Sequence, residues 1–464
     1  MKKIISFVLA TVMLLGMFSI GTFAEAPLTL DMKAVEGASV RIGEVAGIRF
    51  KTMINMAKLD ALVEEKGVSN VEIGTLITPT QYVKGAGAFT MEALDAYKAV
   101  KEFENDAYVK VRATYANPFD TETVEGTEYY VYAGSLENIL DNNIMLSFSG
   151  IGYVKVGDEV VYADYNEFNS SRTVGYVAYR AYLDKDSGLD SDDKTLIDDF
   201  ANKFLVAKLG TNVPDISTIR YFETYDDMAD TADFADATTF LGWKDNLVYG
   251  DNGNAYVYGK DVKAKYEGGK LVFKTTNTAR EGHTTEEEFI TSNTLNATRQ
   301  DAAHSLLTIP GLDSTTLYAD GNHTFVMQFD MKITSFEGDC AVGIAYCDKE
   351  NSNFSRGRFV AATDVSWVFC SETSNNTKWH KAPGSISAYC DPDEKVVSVK
   401  FVFNKDMTVQ QMILNGTKID CIIVAADQVS ESFDIGLYFL KIGTVEIDNL
   451  LVYSYGDGGY LQQD

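Results

Sequence analysis

Histidine, tryptophan and cysteine are scarce in this chain, and each scarcity removes a class of chemistry. The four histidines, His283, His304, His323 and His380, are scattered and never fall into a His-Glu-X-X-His or similar metal-ligand spacing. Residues 1–282 contain none, so histidine-dependent catalysis is excluded from the first half. All five cysteines, Cys340, Cys347, Cys370, Cys390 and Cys421, lie in the second half, so the first half must hold together by packing alone. Their odd number leaves at least one unpaired within a monomer. Cys340 and Cys347 bracket a single apolar strand and would stand roughly 23 Å apart, too far for a disulfide. Positive charge is also short. Against 67 acidic residues there are 40 Lys and Arg, a formal charge of -27 and a pI near 4.5. Such a chain repels nucleic acid and anionic membranes, and no nucleic-acid partner is expected. Phosphate-cradling glycine loops and Gly-X-Ser-X-Gly elbows are absent.

Only one long apolar run occurs, from Ile4 to Ile20. It follows Lys2-Lys3 and leads to Thr22-Phe-Ala24, the pattern of a signal peptide cleaved after Ala24. Loss of the two lysines would take the charge from -27 to -29. No membrane span is expected elsewhere. The reading is an exported protein, released or held at the surface by a partner.

At 464 residues with 45% hydrophobic content, two or more buried cores are expected. Residues 25–212 alternate strand and helix patterns and predict an α+β domain with a largely antiparallel sheet. Ile48, Phe50, Thr52 and Ile54 share one strand face and leave Arg49 and Lys51 on the other. Thr90 and Ser191 are helix-start signals, and Gly67 and Gly210 are stops. After Gly242 the period becomes two. Candidate strands at 254–258, 270–275, 322–333, 340–347, 365–370, 396–404, 408–414, 417–423, 434–441 and 444–453 predict a β-sandwich over residues 213–464. Asn415-Gly416 between apolar runs fixes one hairpin through a type I′ turn. Tyr221-Phe-Glu-Thr is expected to lie beside the last strand, Val445–Tyr453.

Phe222-Glu223, the Val397-to-Thr417 segment with its Asn-Gly turn, and Ile447-Asp-Asn-Leu-Leu-Val-Tyr453 resemble concanavalin A-like or laminin-G-like jelly-roll modules of secreted carbohydrate-active proteins. That resemblance implies an all-β jelly-roll sandwich. It also implies a polysaccharide or cell-surface glycan as partner, and a structural Ca²⁺ held by an acid of the first strand and an Asp of the closing strand, here Glu223 and Asp448. Gly37-Ala-Ser-Val-Arg-Ile, Gly47-Ile-Arg-Phe, Gly74-Thr-Leu-Ile and Arg172-Thr-Val-Gly-Tyr-Val-Ala resemble a module of uncharacterised secreted proteins from anaerobic Gram-positive bacteria, with no implied activity.

Sugar rings stack on flat aromatic faces, so Trp243, Trp367, Trp379, Tyr346 and Tyr389 are candidate glycan contacts, or core residues, with Arg356 and Arg358 as donors. Trp379 stands in the polar run Asn375–Gly384 and is the best placed for exposure. Arg41, Arg49 and Arg172 are candidates for an acidic ligand, or for ion pairs. Glycoside hydrolysis needs two carboxylates at fixed separation. Glu446-Ile-Asp448 begins a Glu-X-Asp-X-X-Glu pattern of jelly-roll glucanases, but Leu451 stands where the second Glu would be. Asp184–Asp193 departs from a calcium loop at Gly188 and Thr195 and reads as an acidic turn into a capped helix. The sequence therefore favours a non-catalytic binding protein over an enzyme with an unrecognised site or a structural spacer.

Overall fold

In the computed structural model, residues 28–456 are described except 44, 185–186, 211–212, 227, 246, 250–254, 258–261, 276–303, 323, 349–357, 363–366, 374–375, 382–395, 405–409 and 420–431. Residues 1–27, where a signal peptide is expected, and Arg356, Tyr389, Cys390 and Cys421 lie outside the described residues. No described helix is long and apolar enough to cross a membrane. The chain divides into two compact units. One comprises Met1–Gly43, Gly47–Asn138 and Ser147–Ser171; the other comprises Glu44–Ala46, Ile139–Leu146 and Arg172–Asp464.

The first unit is α+β, with two antiparallel sheets where the sequence suggested one. In the first sheet Gly47–Asn55 lies between Met32–Ala34 and Thr127–Glu137, and Asp120–Val124 pairs with the far side of the latter. In the second, Val71–Pro79 lies between Ser147–Val156 and Val109–Ala113. Alternation in Gly47–Asn55 is as the sequence demands: Ile48, Phe50, Thr52 and Ile54 are buried, and Arg49 and Lys51 face outward. The helix Met56–Lys66 is capped by the Asn55 side chain and buries Leu59 and Leu62. The Thr90 side chain caps Met91–Lys101.

The two sheets approach each other where glycine removes the side chain. A Cβ on Gly150 would stand 2.5 Å from the Cβ of Phe50, and one on Gly134 would meet the Thr75 side chain at the same distance. Gly150→Ala should therefore destabilise the first unit by about 1–3 kcal/mol through overpacking. Thermal melting of the full chain checks this; an unchanged midpoint would mean that the sheets have room to separate.

The second unit is organised by two long strands. Thr324–Asp348 and Phe433–Tyr455 pair with each other along their whole lengths. The sequence shows each as two shorter strands, 322–333 with 340–347 and 434–441 with 444–453. The backbone runs on through register shifts near Ser335, Phe336 and Ala341, opposite Ile442 and Thr444. Bulges bend a strand without ending it, which lets one strand serve two sheets of a sandwich. Accordingly the early part of Phe433–Tyr455 pairs with His304–Asp313, and its later part pairs with Lys270–Thr275 and Ile219–Glu223. Both parts feed one core: Phe325, Met327, Phe329 and Met331 meet Phe433, Ile435, Leu437 and Phe439 and also Val445, Ile447, Leu450 and Val452. Val397–Asn404 continues the sheet from Thr324–Asp348, with Val397, Val399, Phe401 and Phe403 in the same core. The Asn415-Gly416 turn closes the next hairpin with both residues at positive φ, as a type I′ turn requires. This is a β-sandwich, and it follows the α+β unit as the sequence pattern indicates.

Two helices that the sequence pattern assigns to the first domain, Val174–Leu183 and Ser191–Leu209, belong to the second unit. The reason is aromatic packing. Tyr179 meets Phe222 on the strand Ile219–Glu223 edge to face and Phe204 packs against it tilted, with ring centroids 5.4 and 6.0 Å away. The second helix starts at a capping box between Asp190 and Asp193, so these acids cap a helix.

Candidate functional site

Two acidic centres and one aromatic ribbon gather the candidate residues of the second unit. The first centre is Glu223, at the end of the strand Ile219–Glu223. As expected, this strand lies beside the closing strand, antiparallel, with Tyr221 opposite Val452 and Glu223 opposite Leu450. Tyr221 packs on the sandwich core, and Phe222 packs under the helices. Covered from both sides, Glu223 is 6% exposed.

A carboxylate in such a place needs partners. The Tyr176 hydroxyl donates to both carboxylate oxygens at 3.0 and 3.3 Å. The Arg180 guanidinium donates to Oε2 at 3.1 Å, and the Thr224 amide to Oε1 at 3.2 Å. Tyr176 and Arg180 stand four residues apart and share one helix face. Burial nevertheless pushes the Glu223 carboxyl above the ordinary range, with Arg180 and Tyr176 opposing it. Two residues on, Tyr225 is buried at φ +58, a conformation that costs a bulky residue on the order of 1–2 kcal/mol. Its ring stacks on Tyr266 at 6.0 Å.

The second centre is Asp448. The register places it directly opposite Asp330 of the long strand, so two carboxylates face each other across the sheet. The next residue, Asn449, is at φ +50, a conformation asparagine tolerates. Its amide donates to Asp448 Oδ1 at 2.7 Å, and its Nδ2 donates to Asp330 Oδ2 at 2.8 Å. Its own Oδ1 is buried without a partner among the described residues. Asp226, ion-paired with Lys208, adds a further negative charge. Burial first, then Asp226 and Asp330, raise the Asp448 carboxyl to about 6.

The calcium expectation joined Glu223 to Asp448. Glu223 fits poorly, because Arg180 already supplies its positive charge and three donors occupy its oxygens. Asp448 fits better, with a second carboxylate opposite and a spare amide oxygen alongside. Among the described residues, no three His, Cys, Asp or Glu side chains gather as a metal would need. Leu451, the position that a glucanase-like site would need as Glu, is fully buried opposite Phe222.

The ribbon consists of Arg358–Ala362, Trp367–Thr373 and Asn376–Lys381, a three-stranded sheet of its own. Arg358 pairs with Ser371, Trp367 with Ala362, and Trp379 with Cys370. Of the aromatic candidates, Trp243 is buried in the sandwich core, 6% exposed, and is no glycan contact. Sequence reasoning missed Tyr176, Arg180, Asp330 and Asn449. The four-residue spacing of Tyr176 and Arg180 was a visible signal; the cross-strand position of Asp330 was not.

No family model matches the chain, and no curated protein matches it. Among solved structures, it is similar over 46% of its length to a carbohydrate-binding module from Bacillus subtilis, at 12% identity, 96% coverage of that module and a TM-score of 0.23. It is similar over 48% of its length to a family 7 alginate lyase in complex with its product, at 12% identity, full coverage of that chain and a TM-score of 0.28. A functionally unknown protein from Saccharomyces cerevisiae matches over 41%, at 12% identity, 91% coverage of that chain and a TM-score of 0.26. None of these likenesses bears on the role of a residue here.

Proposed function

We propose that this is an exported, non-catalytic glycan-binding or surface-interaction protein that engages polysaccharide through its β-sandwich. The observation that carries the reading is the three-stranded ribbon, whose pairing puts Arg358, Trp367 and Trp379 on adjoining strands of one small sheet. Aromatic planes and guanidinium donors are the groups that suit sugar rings and their hydroxyls. Incubation of the protein with a polysaccharide panel tests it. Retention without release of reducing ends is expected. Cleavage would favour the enzyme reading, and neither retention nor cleavage would favour a structural spacer. Trp379→Ala should weaken retention about tenfold with an unchanged melting temperature; a large loss of stability would mean that the ring belongs to a core.

Calcium is part of the proposal, with Asp448 as its principal ligand and Glu223 the weaker one. A cation would relieve the opposition of Asp448 and Asp330, and carboxylate and amide oxygens are ligands that calcium takes. Binding to the folded state alone stabilises by mass action. Melting of the full chain in millimolar calcium and in chelator should differ; identical midpoints would remove the ion from the reading.

A further inference from the structure

The first unit carries a cluster that the ribbon site does not use. Arg49 and Lys51 occupy alternate positions on the outward face of Gly47–Asn55. Phe119, immediately before the strand Asp120–Val124, lies over them: the Arg49 Cζ and the Lys51 Nζ are each 4.8 Å from its ring centroid. The Phe119 amide donates to the Val131 carbonyl at 2.7 Å, which pins the ring above the sheet. Phe119 is nevertheless 47% exposed. On the neighbouring strand, Lys33 pairs with Met53 and extends the row, its Nζ 5.0 Å from the Tyr129 ring.

Arg41 stands on the strand Ser39–Arg41, diagonal to Arg49 in the register, and is ion-paired with Glu137 at 3.1 Å. Arg49 and Lys51 have no carboxylate partner among the described residues. Burial and the charge of Arg41 both press the Arg49 guanidinium below its ordinary range. In a chain with 67 acidic and 40 basic residues, adjacent cations without a counter-ion are a cost that folding alone does not offset.

We infer that this face binds an anionic glycan, a polysaccharide of uronic acids. Arg49 and Lys51 take the carboxylate, and the exposed Phe119 ring takes the apolar face of the adjoining sugar. A planar guanidinium fork matches a carboxylate, and an aromatic plane matches the C–H face of a pyranose. Neither feature alone selects a glycan. A bare polyanion has no use for the ring, and a neutral sugar has no use for the charges. The negative surface elsewhere repels a polyanion, so contact is confined to this patch within a Debye length of roughly 8 Å. The inference is independent of the ribbon site, because it concerns other residues in the other unit.

Affinity electrophoresis of the full chain in gels containing polygalacturonate, dextran or polyphosphate tests it. Retardation by polygalacturonate and none by dextran is expected, with the retardation abolished in molar salt. The double variant Arg49→Gln, Lys51→Gln and the single variant Phe119→Ala should each weaken it about tenfold or more. Arg49→Lys should fall in between. Absence of retardation in the unaltered protein would overturn the inference. So would equal retardation by polyphosphate, or unchanged binding by a folded double variant. A change in self-association without a change in polymer binding would assign the face to a second copy instead and overturn it equally.

Discussion

Asp448→Asn should stabilise the second unit at neutral pH and remove a slope from its pH dependence. The Asp448 carboxyl, ordinarily near 3.8, is raised to about 6 by burial and by Asp226 and Asp330. Each tenfold change in an ionisation constant is worth about 1.4 kcal/mol, so ionised Asp448 costs the folded state on the order of 2–3 kcal/mol. The group is partly exposed, and solvent screening trims this to roughly 2 kcal/mol.

The sign follows from proton binding. Between the unfolded value near 4 and the folded value near 6, the folded state holds more protons than the unfolded state. The contribution of Asp448 is therefore most favourable at low pH, falls as pH rises from about 4 to about 6, and is flat above. Asparagine keeps an oxygen to accept the Asn449 amide and has no charge to oppose Asp330. In chelator, the variant should melt about 5 °C above the unaltered protein at pH 7.5, and the two should converge near pH 4. In calcium the gain should shrink or reverse, because the substitution removes the proposed ligand. A variant less stable than its parent at pH 7.5 in chelator would show that Asp448 makes a favourable contact which the charge does not oppose.

Arg180→Ala should act in the opposite direction. It strips the guanidinium from a buried carboxylate and leaves Glu223 with only the Tyr176 hydroxyl and the Thr224 amide. Breaking a fully buried ion pair costs about 3–5 kcal/mol. Here the Glu223 side chain is 8% exposed but that of Arg180 is 56% exposed, so about 2 kcal/mol is the expectation. The Glu223 carboxyl is already above its ordinary value, and losing Arg180 raises it further. Stability lost at neutral pH should therefore be recovered on acidification, when Glu223 is protonated in the folded state. The second variant Glu223→Gln, Arg180→Ala should lose less than Arg180→Ala alone, since it leaves no uncompensated charge. A loss independent of pH would show that Arg180 contributes by packing of its stem.

Glu223 and Asp448 mark the limit of what the chain reveals without its fold. That Tyr221-Phe-Glu223 would pair with the closing strand was legible, because both are short apolar runs of the same period at the two ends of one module. That Glu223 would be neutralised by a helix was not. Tyr176 and Arg180 lie 47 and 43 residues earlier, in a helix whose apolar face the sequence shows but whose docking partner it does not. Asp330 was hidden differently. It sits inside an apolar run, Phe325 to Met331, and only the register with Phe433–Tyr455 brings it opposite Asp448.

The ribbon repeats the lesson. Trp367, Trp379 and Arg358 stand out in the sequence as residue types that suit sugar, but only hydrogen-bond pairing shows that their strands form one small sheet. On the first unit the alternation of Gly47–Asn55 was enough to expose Arg49 and Lys51, while the ring that covers them comes from a segment 68 positions after Lys51.

The sequence by itself determined what is local. Period-two runs, the Asn415-Gly416 turn, the helix starts at Thr90 and Ser191, and the change from mixed to all-strand patterning each depend on residues within a turn or a strand of one another. The tertiary structure decided what is distant: two bent strands shared by both layers of the sandwich, a helix pair docked on Phe222, and three carboxylates, Asp226, Asp330 and Asp448, drawn into one neighbourhood. Backbone propensity acts over a few residues. Burial and charge act between whatever residues the packed core brings together, and sequence distance does not enter either force.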